Sequence, residues 1–281
     1  LNKIRRYGFE TVVAPTYSRE FFYDDAIVYA SGALIRIGSE GDCSNVPPLL
    51  KRISDRWYTR LVPASNDPLM ELERNAEFLR ALGISDFRST VPMLPVIEPQ
   101  PGNKRKTNNY IIFPGAGLAI KQWPIDHFID LAHRIHRATG WEGVICGGPE
   151  EEGLEAIFMK RVGVPMESRI GRTSLEELVS IISGARLLVG NDTCAIHIAA
   201  AVATPSVCIL GGGHFERFMP YKTELETNKS LPVSVVYKMD CFHCKWICIY
   251  KLREGEAAPC IANIQVGTVW ETVEKLLTDN K

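Results

Sequence analysis

Four short stretches of this sequence combine glycine with a residue able to meet an anion or carry a proton. The first, Pro114-Gly115-Ala116-Gly117, is followed by Lys121 and Trp123. Small residues let a ligand approach the backbone, and a nearby ammonium group neutralises phosphate; the same spacing also fits a tight turn beside a solvated lysine. In the second, Gly147-Gly148-Pro149-Glu150-Glu151-Glu152, a carboxylate can accept hydrogen bonds from a ribose, although three acids at a helix start also complement its dipole. The third runs Gly190-Asn191-Asp192-Thr193-Cys194-Ala195-Ile196-His197. Its Asp/Thr cap precedes a helix whose first amides suit a diphosphate. His197, in the first turn, adds a donor there or packs as a core histidine. The fourth, Gly211-Gly212-Gly213-His214-Phe215-Glu216-Arg217-Phe218, sets His214, Glu216 and Arg217 behind three glycines, as ligand contacts or as an inert, mobile loop.

These stretches need strands in front of them and helices behind. Tyr110-Ile111-Ile112-Phe113, Gly143-Val144-Ile145-Cys146, Glu167-Ser168-Arg169-Ile170, Arg186-Leu187-Leu188-Val189 and the run near residues 207–210 read as short apolar strands. Between them the pattern predicts helices from Pro124 to Gly140, over 150–162, behind the capping box Ser174-Leu175-Glu176-Glu177, and near 195–203. Apolar strands alternating with helices mean a parallel sheet covered on both faces, with any ligand at the carboxyl ends of the strands. The first hundred residues are less regular: strands at Thr11-Val12-Val13-Ala14 and Leu34-Ile35-Arg36-Ile37, and a helix over 67–82. A proline-rich polar stretch over 95–109 reads as an interdomain linker. A last helix is expected over 268–277. The boundaries expected are 1–104 for an N-terminal α/β domain, 105–265 for a Rossmann-like domain, and 266–281 for a terminal helix.

At 281 residues the chain suits one large domain or two ordinary ones. Its 32 Lys+Arg against 33 Asp+Glu argue against bulk electrostatic binding to nucleic acid or an acidic membrane. With 46% hydrophobic residues it is too apolar for disorder. The opening residues do not read as a secretory signal, and eight cysteines then point to free thiols or metal in a reducing compartment, the cytosol by default. Cys194 to Gly213 contains no Asp, Glu, Lys or Arg, but Thr204-Pro205 and the glycines divide it, so a buried helix and strand fit better than a bilayer span. Cys241, Cys244, Cys248 and Cys260 are spaced like a structural zinc site; reduced thiols or an opportunistic disulfide are the favoured reading.

The order and spacing of Gly115-Ala116, Lys121-x-Trp123-Pro124, Gly147-Gly148-Pro149, Ser174-Leu175-Glu176-Glu177, Asn191-Asp192-Thr193-x-x-x-His197-x-Ala199-Ala200-Ala201 and Thr204-Pro205 resemble glycosyltransferase family 9 from about residue 110 to 275. That family contains the ADP-heptose:lipopolysaccharide heptosyltransferases. The resemblance implies a GT-B fold of two Rossmann-like domains facing across a cleft. It also implies a metal-independent, inverting transfer of a sugar, a heptose or a relative, to a lipopolysaccharide or other cell-envelope acceptor. Carried over by position, Gly115, Ala116, Lys121, Thr193, Cys194 and His197 would surround the donor diphosphate. Glu151, or less favourably Glu150, would hold the ribose, the Gly171-Arg172-Thr173 backbone would border the base, and Asp192 would stand by the transferred sugar or fix the loop.

The resemblance departs at Cys194, where the family commonly has glycine, and at the front. The family's opening strand, Gly-Asp loop and helix, with its proposed catalytic aspartate, are expected to have no counterpart within these residues. The chain opens near the family's Arg-x-x-x-Tyr-Asp segment, here residues 4–10, so the N-terminal domain is expected to be incomplete. Asp24 or Glu20 then stands in as a guessed base, with Tyr17, Arg19, His214 and Arg217 on the acceptor or sugar side. No cofactor is required on this reading; the partners are a nucleotide-sugar donor and a lipid-linked or saccharide acceptor, with no nucleic acid, and peripheral membrane contact at the inner face of the bacterial inner membrane. The rival expectations are a nucleotide-sugar-binding protein without turnover and a GT-B sugar-nucleotide epimerase.

Overall fold

The computed structural model describes residues 2–95, 108–225 and 230–279. Most of the expected linker lies outside them. The chain divides into two compact units, residues 1–90 with 223–226, and residues 91–222 with 227–281. The division thus falls earlier than the expected boundary at 104, and a short return of the chain through 223–226 joins the first unit. That return is held by bonds that no local pattern announces. The Glu224 carboxylate meets Arg80 at 3.1 Å and accepts the Ser89 N–H at 3.0 Å, and Leu225 N–H donates to the Ser89 carbonyl.

The first unit contains α1 (Asn2–Arg5), β1 (Thr11–Ala14), α2 (Ala26–Ser31), β2 (Ile35–Ser39), α3 (Pro48–Ser54), β3 (Arg60–Val62) and α4 (Glu71–Ala81). Its three strands pair in parallel in the order β1-β2-β3. The helix expected over 67–82 starts only at Glu71, because Pro68 cannot join the interior of the turn. The unit also holds a buried ionic cluster. Arg19 donates to Asp25 at 2.9 Å and also bonds Asp55, while the Tyr58 hydroxyl donates to the same Asp25 oxygen at 2.6 Å.

The second unit is built from β4 (Asn109–Phe113), α5 (Ile125–Thr139), β5 (Glu142–Ile145), α6 (Glu152–Arg161), β6 (Met166–Ser168), α7 (Leu175–Ser183), β7 (Leu187–Asn191), α8 (Cys194–Ala201), β8 (Ser206–Ile209), β9 (Val233–Val235), α9 (Pro259–Ala262) and α10 (Val266–Asp279). Its six strands run parallel in the order β6-β5-β4-β7-β8-β9. Counted from β4, that is third, second, first, fourth, fifth, sixth, the doubly wound Rossmann order.

Alternation along the strands sorts the core into two layers. Tyr110, Ile112, Leu187, Val189, Val207 and Ile209 face α5 and α10, whereas Ile111, Phe113, Leu188 and Cys208 face α7 and α8. α5 turns Phe128, Leu131, Ala132 and Ile135 inward and ends at Gly140, whose φ of 69° suits the left-handed cap. α7 begins at the capping box: Ser174 Oγ accepts the Glu177 N–H and the Glu177 carboxylate accepts the Ser174 N–H. Val269 and Val273 of α10 are fully buried in the first layer, so the terminal helix is part of this unit's core. The uncharged stretch 194–213 holds α8 and β8, and among the described residues no helix is long and apolar enough to cross a membrane.

Candidate functional site

Because all six strands are parallel, their carboxyl ends share one edge of the sheet. The winding direction reverses between β4 and β7, and a ligand crevice is expected at that reversal. Asn191, at the end of β7, is fully buried and ties the two loops together. Its side-chain amide donates to the carbonyls of Pro114 (2.7 Å) and Gly115 (3.2 Å), and its Oδ1 accepts the Trp123 N–H at 3.1 Å. An amide spends all its strong bonds here, so both loops hold one shape.

Gly115 leaves room for the next element. A Cβ at this position would lie 1.4 Å from Glu151 Oε1, so any side chain here would displace the Glu151 carboxylate. Glu151 is buried and folds back over its own turn, accepting the Gly148 N–H at 2.9 Å. Burial pushes its carboxyl upward, the Gly148 bond pulls it down, and Glu150 raises it again. Gly171 N–H donates to the Gly147 carbonyl, which brings half-buried Thr173 and the 171–173 loop alongside.

The β7–α8 junction carries the charge. Asp192 is a largely buried carboxylate whose pKa burial raises, with His197 and Lys121 acting against that rise. His197 Nε2 stands 3.8 Å from Asp192 Oδ1, and His197 Nδ1 meets the Tyr221 hydroxyl at 2.7 Å. Thr193 caps α8 without a side-chain bond to it, and its buried Oγ1 has no partner. Cys194 is exposed at the first helical position, with its own N–H and that of Ala195 directed at the thiol. Helix-terminal amides facing one neutral thiol remain able to receive an anion.

Across from this junction, Lys121 Nζ lies 4.9 Å from the centre of the Trp246 ring, which itself packs over Gly211 and Gly213. His214 follows those glycines. Burial, then the charges of Arg217, Lys121 and Lys245, push its pKa down to about 4. The loop is therefore a cationic environment in which the imidazole stays neutral.

The structure thus brings Gly115, Lys121, Glu151, Asp192, Thr193, Cys194, His197 and His214 to one edge of the second sheet, with Ala116, Thr173 and Arg217 in the adjoining loops. The first-unit candidates fare differently. Arg19 is 1% exposed and locked in its ionic cluster, so it is not a free acceptor contact. Tyr17 lies beneath the Arg74 guanidinium at 3.8 Å. Asp24 accepts the Glu20 N–H at 2.8 Å and so closes its own turn, and Glu20 is exposed. Burial and local capping occupy Arg19 and Asp24 in ways that spacing did not reveal. All eight cysteines are reduced; Cys260 lies within electrostatic reach of Cys241, Cys244 and Cys248. Among the described residues no group of three or more His, Cys, Asp or Glu is arranged to hold a metal ion.

Three residues had no role assigned from the sequence. Asn191 stood in the motif, an amide ending an apolar strand, without a stated part in it. Tyr221 and Trp246 arrive from remote loops and had no local signal.

A sequence profile described as "Glycosyltransferase family 9 (heptosyltransferase)" matches residues 68–243. Lipopolysaccharide heptosyltransferase 3 of Escherichia coli K12 is 27% identical over 200 residues, covering 61% of this chain and 57% of that protein. The chain therefore spans little more than half the length of this relative. Among solved structures, a family 9 glycosyl transferase from Veillonella parvula superposes with a TM-score of 0.70 at 16% identity, over 99% of this chain and 78% of the other. The E. coli heptosyltransferase WaaC with ADP-2-deoxy-2-fluoro heptose gives 0.58 at 16% identity, over 95% and 72%. At such identities these structures speak for the fold, and they meet the GT-B expectation.

Proposed function

Because the chain belongs to glycosyltransferase family 9, we propose that its second unit binds a nucleoside-diphosphate sugar of the ADP-heptose class and that the protein transfers the sugar to a saccharide acceptor of lipopolysaccharide. The observation that carries this reading is the convergence of Lys121, Asp192, His197 and the orphaned Thr193 hydroxyl where the sheet's winding reverses. The solved relative holding an ADP-sugar analogue supports an adenine nucleotide as the first donor to test.

On this reading Gly115 and Ala116 let the diphosphate approach the β4 loop, and Lys121 and the first amides of α8 offset its charge. Thr193 Oγ1 gains its missing partner. Glu151 faces the ribose with the oxygen not held by Gly148, and the 171–173 loop borders the base. An acceptor hydroxyl, giving its proton to a carboxylate base, attacks the anomeric carbon from the side opposite the diphosphate; the bond to the diphosphate breaks as the new one forms, which inverts the configuration. Negative charge grows on the leaving diphosphate, and the ammonium, the helix amides and a neutral imidazole already point there. These donors perform the task for which other transferases employ a divalent cation. The acceptor is lipid-linked, so the work is done at the cytoplasmic face of the membrane that carries it.

The test pairs a thermal-shift titration with ADP and UDP against a transfer assay with ADP-heptose. Stabilisation by ADP with inverted product upholds the reading, since only a ligand that prefers the folded form raises the midpoint. Binding without transfer leaves a nucleotide-sugar-binding protein. No stabilisation by either nucleotide removes the donor site.

A further inference from the structure

Tyr221 is the one tyrosine whose hydroxyl reaches the β7–α8 junction among the described contacts, and neither the sequence motifs nor the fold accounts for it. It lies in the segment that follows β8, 24 residues beyond His197, and its hydroxyl sits 2.7 Å from His197 Nδ1 with the rings perpendicular. The other ring nitrogen, Nε2, faces Asp192 Oδ1 at 3.8 Å. His197 is thus held between a phenol and a carboxylate, one on each nitrogen.

A neutral imidazole carries one donor and one acceptor, and the neighbour of each nitrogen selects which is which. Burial lowers the pKa of His197, opposed by Asp192, so the ring is neutral near pH 7. Burial, with the fields of Asp192 and Cys208, pushes the Tyr221 phenol up to about 12, so it keeps its proton. Lys121, from the β4 loop, acts on the same Asp192 carboxylate. Two arrangements satisfy the Tyr221 bond. If His197 donated from Nδ1, the lone pair of Nε2 would face the Asp192 oxygen and repel it. If the phenol donates to Nδ1, the proton resides on Nε2 and faces the carboxylate. Only the second arrangement leaves no lone pairs opposed.

We propose that Tyr221 is a positioning residue that holds His197 as the Nε2–H tautomer, so that the imidazole presents a donor to the mouth of α8 before any ligand arrives. The identity of what receives that donor, the diphosphate of the sugar nucleotide, rests on the function proposed above. The tautomer does not. On binding, a phosphate oxygen takes up the Nε2–H in place of the long Asp192 contact, while the Tyr221 bond keeps the ring from rotating or exchanging its proton.

Long-range 15N–1H correlation on histidine-labelled full chain without ligand decides the tautomer, with the His197 signals assigned by their loss in His197→Gln. The expected result is a protonated Nε2 and an unprotonated Nδ1; a protonated Nδ1 in the unmutated protein overturns the proposal. In Tyr221→Phe, which keeps the ring, the two tautomers should mix, and ADP should bind about two- to tenfold more weakly, the worth of one neutral hydrogen bond. The melting temperature should barely move. An unchanged tautomer and unchanged ADP affinity in Tyr221→Phe also overturn it. If the unmutated chain shows the Nε2–H form yet binds neither ADP nor UDP, the donor site fails and the positioning role stands. A Tyr221→Phe chain that does not fold leaves the unmutated spectrum to decide.

Discussion

Each unit of this protein buries a carboxylate against a cation or an imidazole, and the two do so differently. In the first unit Asp25 touches Arg19 at 2.9 Å and Tyr58 at 2.6 Å, and Arg19 also reaches Asp55 and the Glu40 carbonyl. Arg19 Nε and the second Asp25 oxygen lack partners, yet each group is bound to an opposite charge at contact distance. In the second unit the neutral His197 imidazole stands 3.8 Å from Asp192, Lys121 acts on it through space, and the adjacent Thr193 hydroxyl has no partner. Burial therefore does not separate the two clusters, whereas contact distance between the partners does: 2.9 Å for Arg19–Asp25 against 3.8 Å for His197–Asp192. The tight cluster holds a fold together, and the loose one has capacity left for a ligand.

The largest test of that contrast is Arg19→Ala. It leaves Asp25 buried without its cation, and the loss should be about 3–5 kcal/mol on denaturant unfolding. ADP affinity of the protein that remains folded should not change; a parallel fall in ADP binding would erase the distinction. Lys121→Ala should do the reverse. ADP binding should weaken by about 1.5–3 kcal/mol in a calorimetric titration, the value of a charge-assisted bond, while the unfolding midpoint holds. Unchanged affinity would remove Lys121 from the site. His197→Ala should cost ADP binding about 0.5–1.5 kcal/mol with little loss of stability, whereas marked unfolding would make His197 a core residue after all.

The smallest effect sharpens the comparison through pH. The Glu151 carboxyl is raised in the folded protein above its ordinary value. Its contribution is therefore fully present below the unfolded glutamate pKa and is lost as pH rises through the folded one. Glu151→Gln keeps an acceptor for the Gly148 N–H but cannot ionise. Relative to this variant, the unmutated protein should lose stability as pH climbs from the acidic side through the folded Glu151 pKa. A flat difference across that window would show that its burial costs nothing.

The second unit was more legible than the first for a reason of length scale. Its central strands are short, mostly apolar and separated by helices, so period and punctuation locate β4, α5, β7 and α8 to within a residue or two. The loops that follow them contain the candidate donor residues almost by necessity, since parallel strands deliver their carboxyl ends to one edge. In the first unit, Tyr17, Arg19, Glu20 and Asp24 also follow a strand, but that rule misleads. Arg19 turns inward to Asp25 and Asp55, which lie 6 and 36 positions away, and Asp24 caps its own turn.

Local composition alone determined that this chain builds a parallel α/β sheet with glycine-rich loops after its strands, because helix and strand periods and capping residues act over a few positions. Only tertiary structure decided which of the charged residues are already matched. It also brought Trp246 beside Lys121, Asn191 between two loops and Tyr221 onto His197, because those contacts join segments that the packing of the sheet, and not their spacing, makes neighbours.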